Sequence, residues 1–158
     1  MIEDWIDTLT KVWEVSDGAG GQVQSYRLFE RDEFPENIPL DRPTALTFFD
    51  NVDLEYSQGG PNLAFWHGTV EFNLAPDLDR RRIPSVLRYI NRILVAAAGN
   101  ITLGNVSYAS GQVNYFILEP SSSIEMGVLR YGNAGAEHLG LVAKWTVKET
   151  IKGLVVSG

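Results

Sequence analysis

Three groups of residues in this chain have types and spacings that could do chemistry. His67, Thr69 and Glu71 recur at every second position, so an extended strand presents all three on one face. An imidazole and a carboxylate placed together could serve as an acid/base pair or as two metal ligands. No third group lies nearby, and the other histidine, His138, is far along the chain. The simpler reading is a polar strand face, turned to solvent or to an interface. Asp50, Asp53 and Glu55 form the second group, with Asp53 and Glu55 on one side of a strand. Paired carboxylates can hold calcium or hydrolyse glycosides, but the calcium-loop spacing with its central glycine is missing. A charged strand edge that blocks sheet-to-sheet pairing explains them more simply. The third group, Arg80, Arg81 and Arg82, could contact a phosphate or an acidic partner. The plainer alternative is a charge run at the start of a helix, balanced by Asp77 and Asp79, with a subunit contact as its functional form.

Other chemistry is removed by what the sequence lacks. There is no cysteine, which excludes thiol catalysis, disulfides and thiolate metal sites and leaves the redox compartment open. The glycines at 18, 20 and 21 have no accompanying phosphate-loop lysine and follow a helical pattern instead of a strand, so they read as a linker. Ser121, Ser122 and Ser123 have no flanking glycines of a nucleophile elbow and read as a loop. No catalytic residue, cofactor site or metal site is therefore expected. Across 158 residues, 20 acidic and 13 basic side chains give a net charge of −7. That balance disfavours gripping nucleic acid through its phosphates, although an acidic surface can repel a polyanion that passes nearby. The N-terminal residues are acidic and amphipathic, unlike a signal peptide. The longest apolar run, 93–98, is far too short to span a bilayer. Synthesis and use in the cytoplasm, without a membrane partner, are expected.

The elements that must position these residues follow from hydrophobic period. Ile2, Trp5, Ile6, Leu9, Val12 and Trp13 step by three and four, predicting a helix over 2–13 with Asp4 and Asp7 near its positive end. A strand over 23–29 leads into a loop at 30–43 that carries Pro35, Pro39 and Pro43. A strand is expected over 44–49, with 52–56 either another strand or its continuation past a bulge at Asp50 and Asn51, and the turn formers of 57–62 return the chain into a long strand over 63–74. Ala64, Trp66, Val70, Phe72 and Leu74 make its apolar face, so it reads as half-buried. Pro84 opens a second helix whose predicted buried stripe is Ile83, Val86, Leu87, Ile90, Ile93, Leu94 and Ala97, with Arg88 and Arg92 solvated. Strands follow at 101–103, 106–108, 112–119, 125–131 and 139–150, and 154–158 is an apolar tail suited to a neighbour's sheet edge. The expected fold is one α+β domain over 1–158: a mainly antiparallel sheet with two amphipathic helices packed on one face. A hairpin can be added between 99 and 140, as an arm over 112–131.

This arrangement resembles the tail-terminator (tail-completion) proteins of long-tailed bacteriophages. The likeness lies in element order: an N-terminal amphipathic helix at 2–13, a strand and proline-bearing loop over 23–43, a hairpin with a long return strand, the helix at 84–98 and closing strands to 150. It covers nearly the whole chain and rests on arrangement, without signature residues. It implies a structural virion protein, assembled in the host cytoplasm, that forms a homo-oligomeric ring of typically six subunits. Such rings cap the tail tube, stop its growth and join it to the head connector, with DNA only as passing cargo and with no catalysis or cofactor. Interface residues would then come from Phe34, Pro35 and Ile38 in the long loop, from Arg80, Arg81 and Arg82, and from Leu154, Val155 and Val156 in the tail. Residues 99–140 hold more strand than a minimal version of that fold, which is where an inserted arm would sit.

A tail-tube subunit is the alternative within the structural class, and a small-ligand-binding α+β domain the alternative outside it. An enzyme ranks last, since it would have to work with isolated carboxylates. If the 30–43 loop is an interface, limited proteolysis should cut it quickly in the free subunit and slowly after assembly. Equal cleavage in both states would argue that it is not.

Overall fold

The computed structural model describes residues 2–28, 43–56, 58, 62–75, 80–103, 107–108, 111–118, 124–131 and 136–151. Helix α1 (Ile2–Val12) is followed by strands β1 (Gln24–Leu28), β2 (Thr44–Glu55) and β3 (Asn62–Ala75). A 3₁₀ turn (Arg80–Arg82) enters helix α2 (Ile83–Ala98), and strands β4 (Ser107–Tyr108), β5 (Gly111–Leu118), β6 (Glu125–Tyr131) and β7 (Ala136–Ile151) complete the chain. The seven strands make one sheet in the order β1-β2-β3-β7-β5-β4, with β6 also on β7. All pairings are antiparallel except β1 with β2, which run parallel. The α+β fold with two helices on the sheet is thus as the hydrophobic periods predict, and the sheet curls into a half-barrel.

β5 and β6 take a particular arrangement. β5 pairs with the C-terminal half of β7 and β6 with its N-terminal half. They lie in line along one β7 edge, and no pairing joins them to each other among the described residues. The hairpin between 99 and 140 is β4 with β5. Residues 101–103, expected as a strand, instead form a turn that ends α2. Asn100 Nδ2 donates to Ala96 O at 2.7 Å, and buried Leu103 takes a left-handed φ of 48°, which no strand tolerates.

The helix-covered face holds the main core. α1 sets Trp5, Ile6 and Leu9 into it, and α2 sets Val86, Tyr89, Ile93 and Ala97. The indole of Trp5 meets those of Trp66 and Trp145 edge-on at 5.9 and 6.0 Å. Trp13 meets Phe72 and Phe116 likewise at 5.7 and 5.5 Å, the geometry that aromatic quadrupoles favour. Trp145 has room because Gly68 lies opposite it on β3; a Cβ there would collide with the indole and with Phe48 O. Within this apolar layer sits one acid. Glu149 is fully buried, and its two carboxylate oxygens accept the indole N–H of Trp5 at 3.1 Å and of Trp66 at 3.3 Å. Burial pushes its carboxyl above the ordinary value, against the pull of those two donors.

The opposite face corrects the half-buried reading of β3. Thr69, Glu71 and Asn73 are buried there, as are Thr44, His138 and Thr146. Leu129 of β6 packs with Leu46 and Phe48 of β2 although β7 and β3 lie between them in strand order. Only a sheet curled toward this side brings them together. Three register shifts, at Phe49/Asn51, Asn73/Ala75 and Val113/Tyr115, supply local bends, the first at the bulge predicted from Asp50 and Asn51. Gly140 leaves space for Leu129, whose Cδ1 would meet an added Cβ at 2.6 Å.

The raised Glu149 carboxyl gives a pH test. The folded state holds this proton more tightly than the unfolded state, so the contribution of Glu149 to stability is greatest below the ordinary carboxyl value of 4.5 and is lost as pH rises through the folded-state value. Urea unfolding from acid to neutral pH should therefore show wild type losing stability relative to Glu149→Gln as pH rises. Parallel curves for the two proteins would exclude a raised carboxyl.

Candidate functional site

The bulge at Asp50 decides which residues meet on the concave face. It shifts β2 by one residue, so that Asp53 and Glu55 emerge on the same side as Leu46 and Phe48. His67 then lies diagonally from Asp53 and directly opposite Thr146. His67 Nε2 is 3.1 Å from Asp53 Oδ2 and Nδ1 is 3.0 Å from Thr146 Oγ1. An ionised carboxylate can only accept, which assigns the ring proton to Nε2; in the neutral ring Nδ1 accepts the Thr146 hydroxyl. Beside this line, Thr69 Oγ1 donates to Asp50 Oδ2 at 2.7 Å. Residues of the two groups that the sequence kept apart thus bond to one another, in an Asp53–His67–Thr146 line across three strands and in a separate Thr69–Asp50 pair, with Glu71 on the same strand face.

The order carboxylate, imidazole, hydroxyl is that of a nucleophilic relay. Thr146, however, is buried in the middle of β7 with β3 on one side and β5 on the other. The line ties β2, β3 and β7 together. Among the described residues no group of three or more His, Asp or Glu is placed to hold a metal ion, and no helix is long and apolar enough to cross a membrane.

The 17–21 segment, read as a linker, is tightly built. Ser16 and Gln22 form a bridge, and Asp17 Oδ1 accepts the N–H groups of Ala19 at 2.7 Å and Gly21 at 3.0 Å. Those bonds hold the Asp17 carboxyl below its ordinary range. Arg92, expected to be solvated, instead donates to Ser16 O at 2.9 Å and stacks on Tyr89, whose hydroxyl donates to Asp17 O at 3.3 Å. A side chain at Gly18 would collide with the guanidinium, and its φ of 79° suits glycine.

The feature with the widest consequence is the outer face of α2. Its predicted buried stripe is wider than the sheet can cover. Val86, Ile93 and Ala97 are buried, whereas Leu87 is 44% exposed, Leu94 47% and Val95 63%. Ser85, Arg88, Asn91 and Arg92 gather on the side of α2 turned from the sheet, so Leu87, Leu94 and Val95 form an apolar area set among polar residues and left uncovered by the described residues. Ile101 extends the uncovered surface past the helix end at 49% exposure.

The chain matches no protein-family model and no curated protein.

Of the interface residues named from the sequence, Arg81 and Arg82 are exposed in the turn before α2, and Arg80 shares that turn. Phe34, Pro35, Ile38, Leu154, Val155 and Val156 lie outside the described residues. Leu87, Leu94 and Val95 were missed as surface residues; the excess width of the apolar arc was the available signal. Monomer stability separates the two sides of α2. Leu94→Ser should change the unfolding free energy by no more than about 0.5 kcal/mol, whereas Ile93→Ala should cost about 2–5 kcal/mol. A large loss from Leu94→Ser in a monomer would place that side chain in the core.

Proposed function

We propose that this chain is a structural subunit of a bacteriophage virion, a ring-forming tail terminator that caps the tail tube and joins it to the head connector. The observation that carries the reading is the apolar outer face of α2, because a surface of that composition calls for a protein partner. The reading also draws on the resemblance in element order to tail-terminator proteins. The acidic balance suits a ring through which DNA passes without being gripped. On this reading the subunit associates with copies of itself, in a ring of typically six, and then with tail-tube and head-connector proteins. It is assembled in the host cytoplasm and needs no cofactor.

Native mass spectrometry and electron microscopy of the purified chain at micromolar concentration test this directly. Closed rings of defined stoichiometry are expected, and they should bind the ends of tail tubes. Long tubes formed by the chain itself would favour the tail-tube alternative. A chain that stays monomeric, alone and with tail tubes, would sink both readings.

A further inference from the structure

One strand edge of the sheet is unguarded. β6 pairs with β7 through seven consecutive residues without a register shift, and among the described residues no strand pairs with its other side. It carries no proline, lysine or bulge, the devices that keep a free edge from taking a further strand. The other free edges differ. Beyond Phe48, where β1 stops, β2 has the bulge at Asp50 and the exposed acids Asp53 and Glu55. β1 is five residues long, with Gln24, Ser25 and Arg27 among them, and β4 is only two residues long.

The same edge lies at the foot of an apolar step. Met126 stands beside Leu141 and Val128 beside Leu139, so both point to the helix-covered face, yet they are 42% and 53% exposed. α2 rests over β5 and β7 and leaves them uncovered. One flank of this helix, through Tyr89 and Arg92, is bonded to the carbonyls of Asp17 and Ser16 in the turn that leads to β1. By the helical period Leu87 and Leu94 lie on the opposite flank. β1 and β6 lie toward opposite ends of the strand order, so that flank is turned toward β6. Exposed apolar side chains of α2 and β6 thus border one step, beside a strand edge that has backbone N–H and C=O groups to offer. The occupant that such an edge takes is an extended strand with apolar residues at every second position.

The sequence holds such a segment. Lys152 and Gly153 follow β7, and Leu154, Val155 and Val156 come next, all apolar and two of them β-branched. These residues lie outside the described ones. A copy cannot place them on its own β6. The nearest residue of β6, Glu125, pairs with Val142, and along the unbroken strand β7 that level is roughly 30 Å from Ile151. Val156, five residues past Ile151, reaches at most about 18 Å from it. A neighbour's β6 carries no such restriction. Resting on the ring reading above, we propose that residues 154–156 of one copy add as a strand to the free edge of β6 in the next. Leu154 and Val156 pack against Met126, Val128 and the Leu87–Leu94 flank of α2, and Val155 turns to the other face. The donating and accepting surfaces differ, so the contact runs head to tail, as a closed ring requires.

Disulfide trapping tests the assignment cleanly, because the chain has no cysteine of its own. Val128→Cys is combined in one chain with Leu154→Cys, Val155→Cys or Val156→Cys, and the assembled protein is oxidised and run on a non-reducing gel. Covalent dimers and longer oligomers, up to the ring size found by native mass spectrometry, are expected with Leu154→Cys or Val156→Cys. Val155→Cys should link poorly, since a strand turns successive side chains to opposite faces. Leu54→Cys, on the β2 edge, should link to none of the three. Met126→Cys replaces Val128→Cys if that chain folds poorly. Deleting residues 153–158 should raise the concentration needed for assembly roughly tenfold or more in analytical ultracentrifugation, through the lost apolar burial. Rings that form without these links, equal linking by all three partners, a link closed within one monomer, or assembly unchanged by the deletion overturns this placement and leaves the ring reading standing. A wild-type chain that never assembles overturns both.

Discussion

The carboxylate of Glu149 between the indoles of Trp5 and Trp66 is the contact on which the rest of the fold depends. It joins the first helix, the central strand β3 and the last strand β7 at one point inside the core. A buried acid is costly, and the layer around it is almost wholly aromatic and aliphatic. Two indole N–H donors offset part of that cost, and the carboxylate in turn satisfies the N–H of fully buried Trp5. The polar contact therefore fixes the rotation of α1 on the sheet. An apolar residue at 149 would pack there without choosing one orientation. With α1 set, Trp5 meets Trp145, and Trp145 in turn occupies the space that Gly68 leaves open. Arg27 then lies beside Asp7 at 3.2 Å, an exposed pair that follows from this placement and adds little to it.

Curvature is the second consequence. Aromatic bulk on the helix side and the β2 and β3 bulges turn the opposite face inward. That side consequently buries polar groups that a flat half-exposed sheet would leave wet. The Asp53–His67–Thr146 line and the Thr69–Asp50 bond satisfy part of this set. The network is explained by the need to hydrogen-bond polar groups on a curled sheet.

Local pattern reads well in this sequence, and long-range placement does not. The step of three and four through Trp5, Ile6 and Leu9 identifies α1, and Asp50 with Asn51 marks the bulge, because both signals are complete within a few residues. The alternation of Leu141, Ala143, Trp145 and Val147 reaches the same face at Glu149, so its burial was in the pattern, hidden by the expectation that acids face water. Asp53 and His67 meet only because the bulge sets the register between two strands, a fact that no single segment contains. Arg92 is similar: its helical position is solvent-facing by periodicity, and the carbonyl of Ser16 that holds it arrives from a distant turn. The width of the α2 stripe was visible as well, but sequence alone cannot tell how much of a stripe one sheet will cover.

The surface left uncovered is also held rigidly, which bears on the proposed assembly. Arg92 and Tyr89 tie the middle of α2 to the 16–17 carbonyls. At its end, Asn100 caps Ala96, and the Phe116 N–H reaches Ile101 O to fix the following turn to β5. Leu87, Leu94 and Val95 are thereby presented on a helix anchored along its length. Association costs free energy for every side chain and segment it must order, so a face ordered before contact binds more tightly for the same area. On the proposed reading, the internal bonds of α2 serve the ring as much as the subunit. They hold the exposed apolar side chains of α2 in position for a partner.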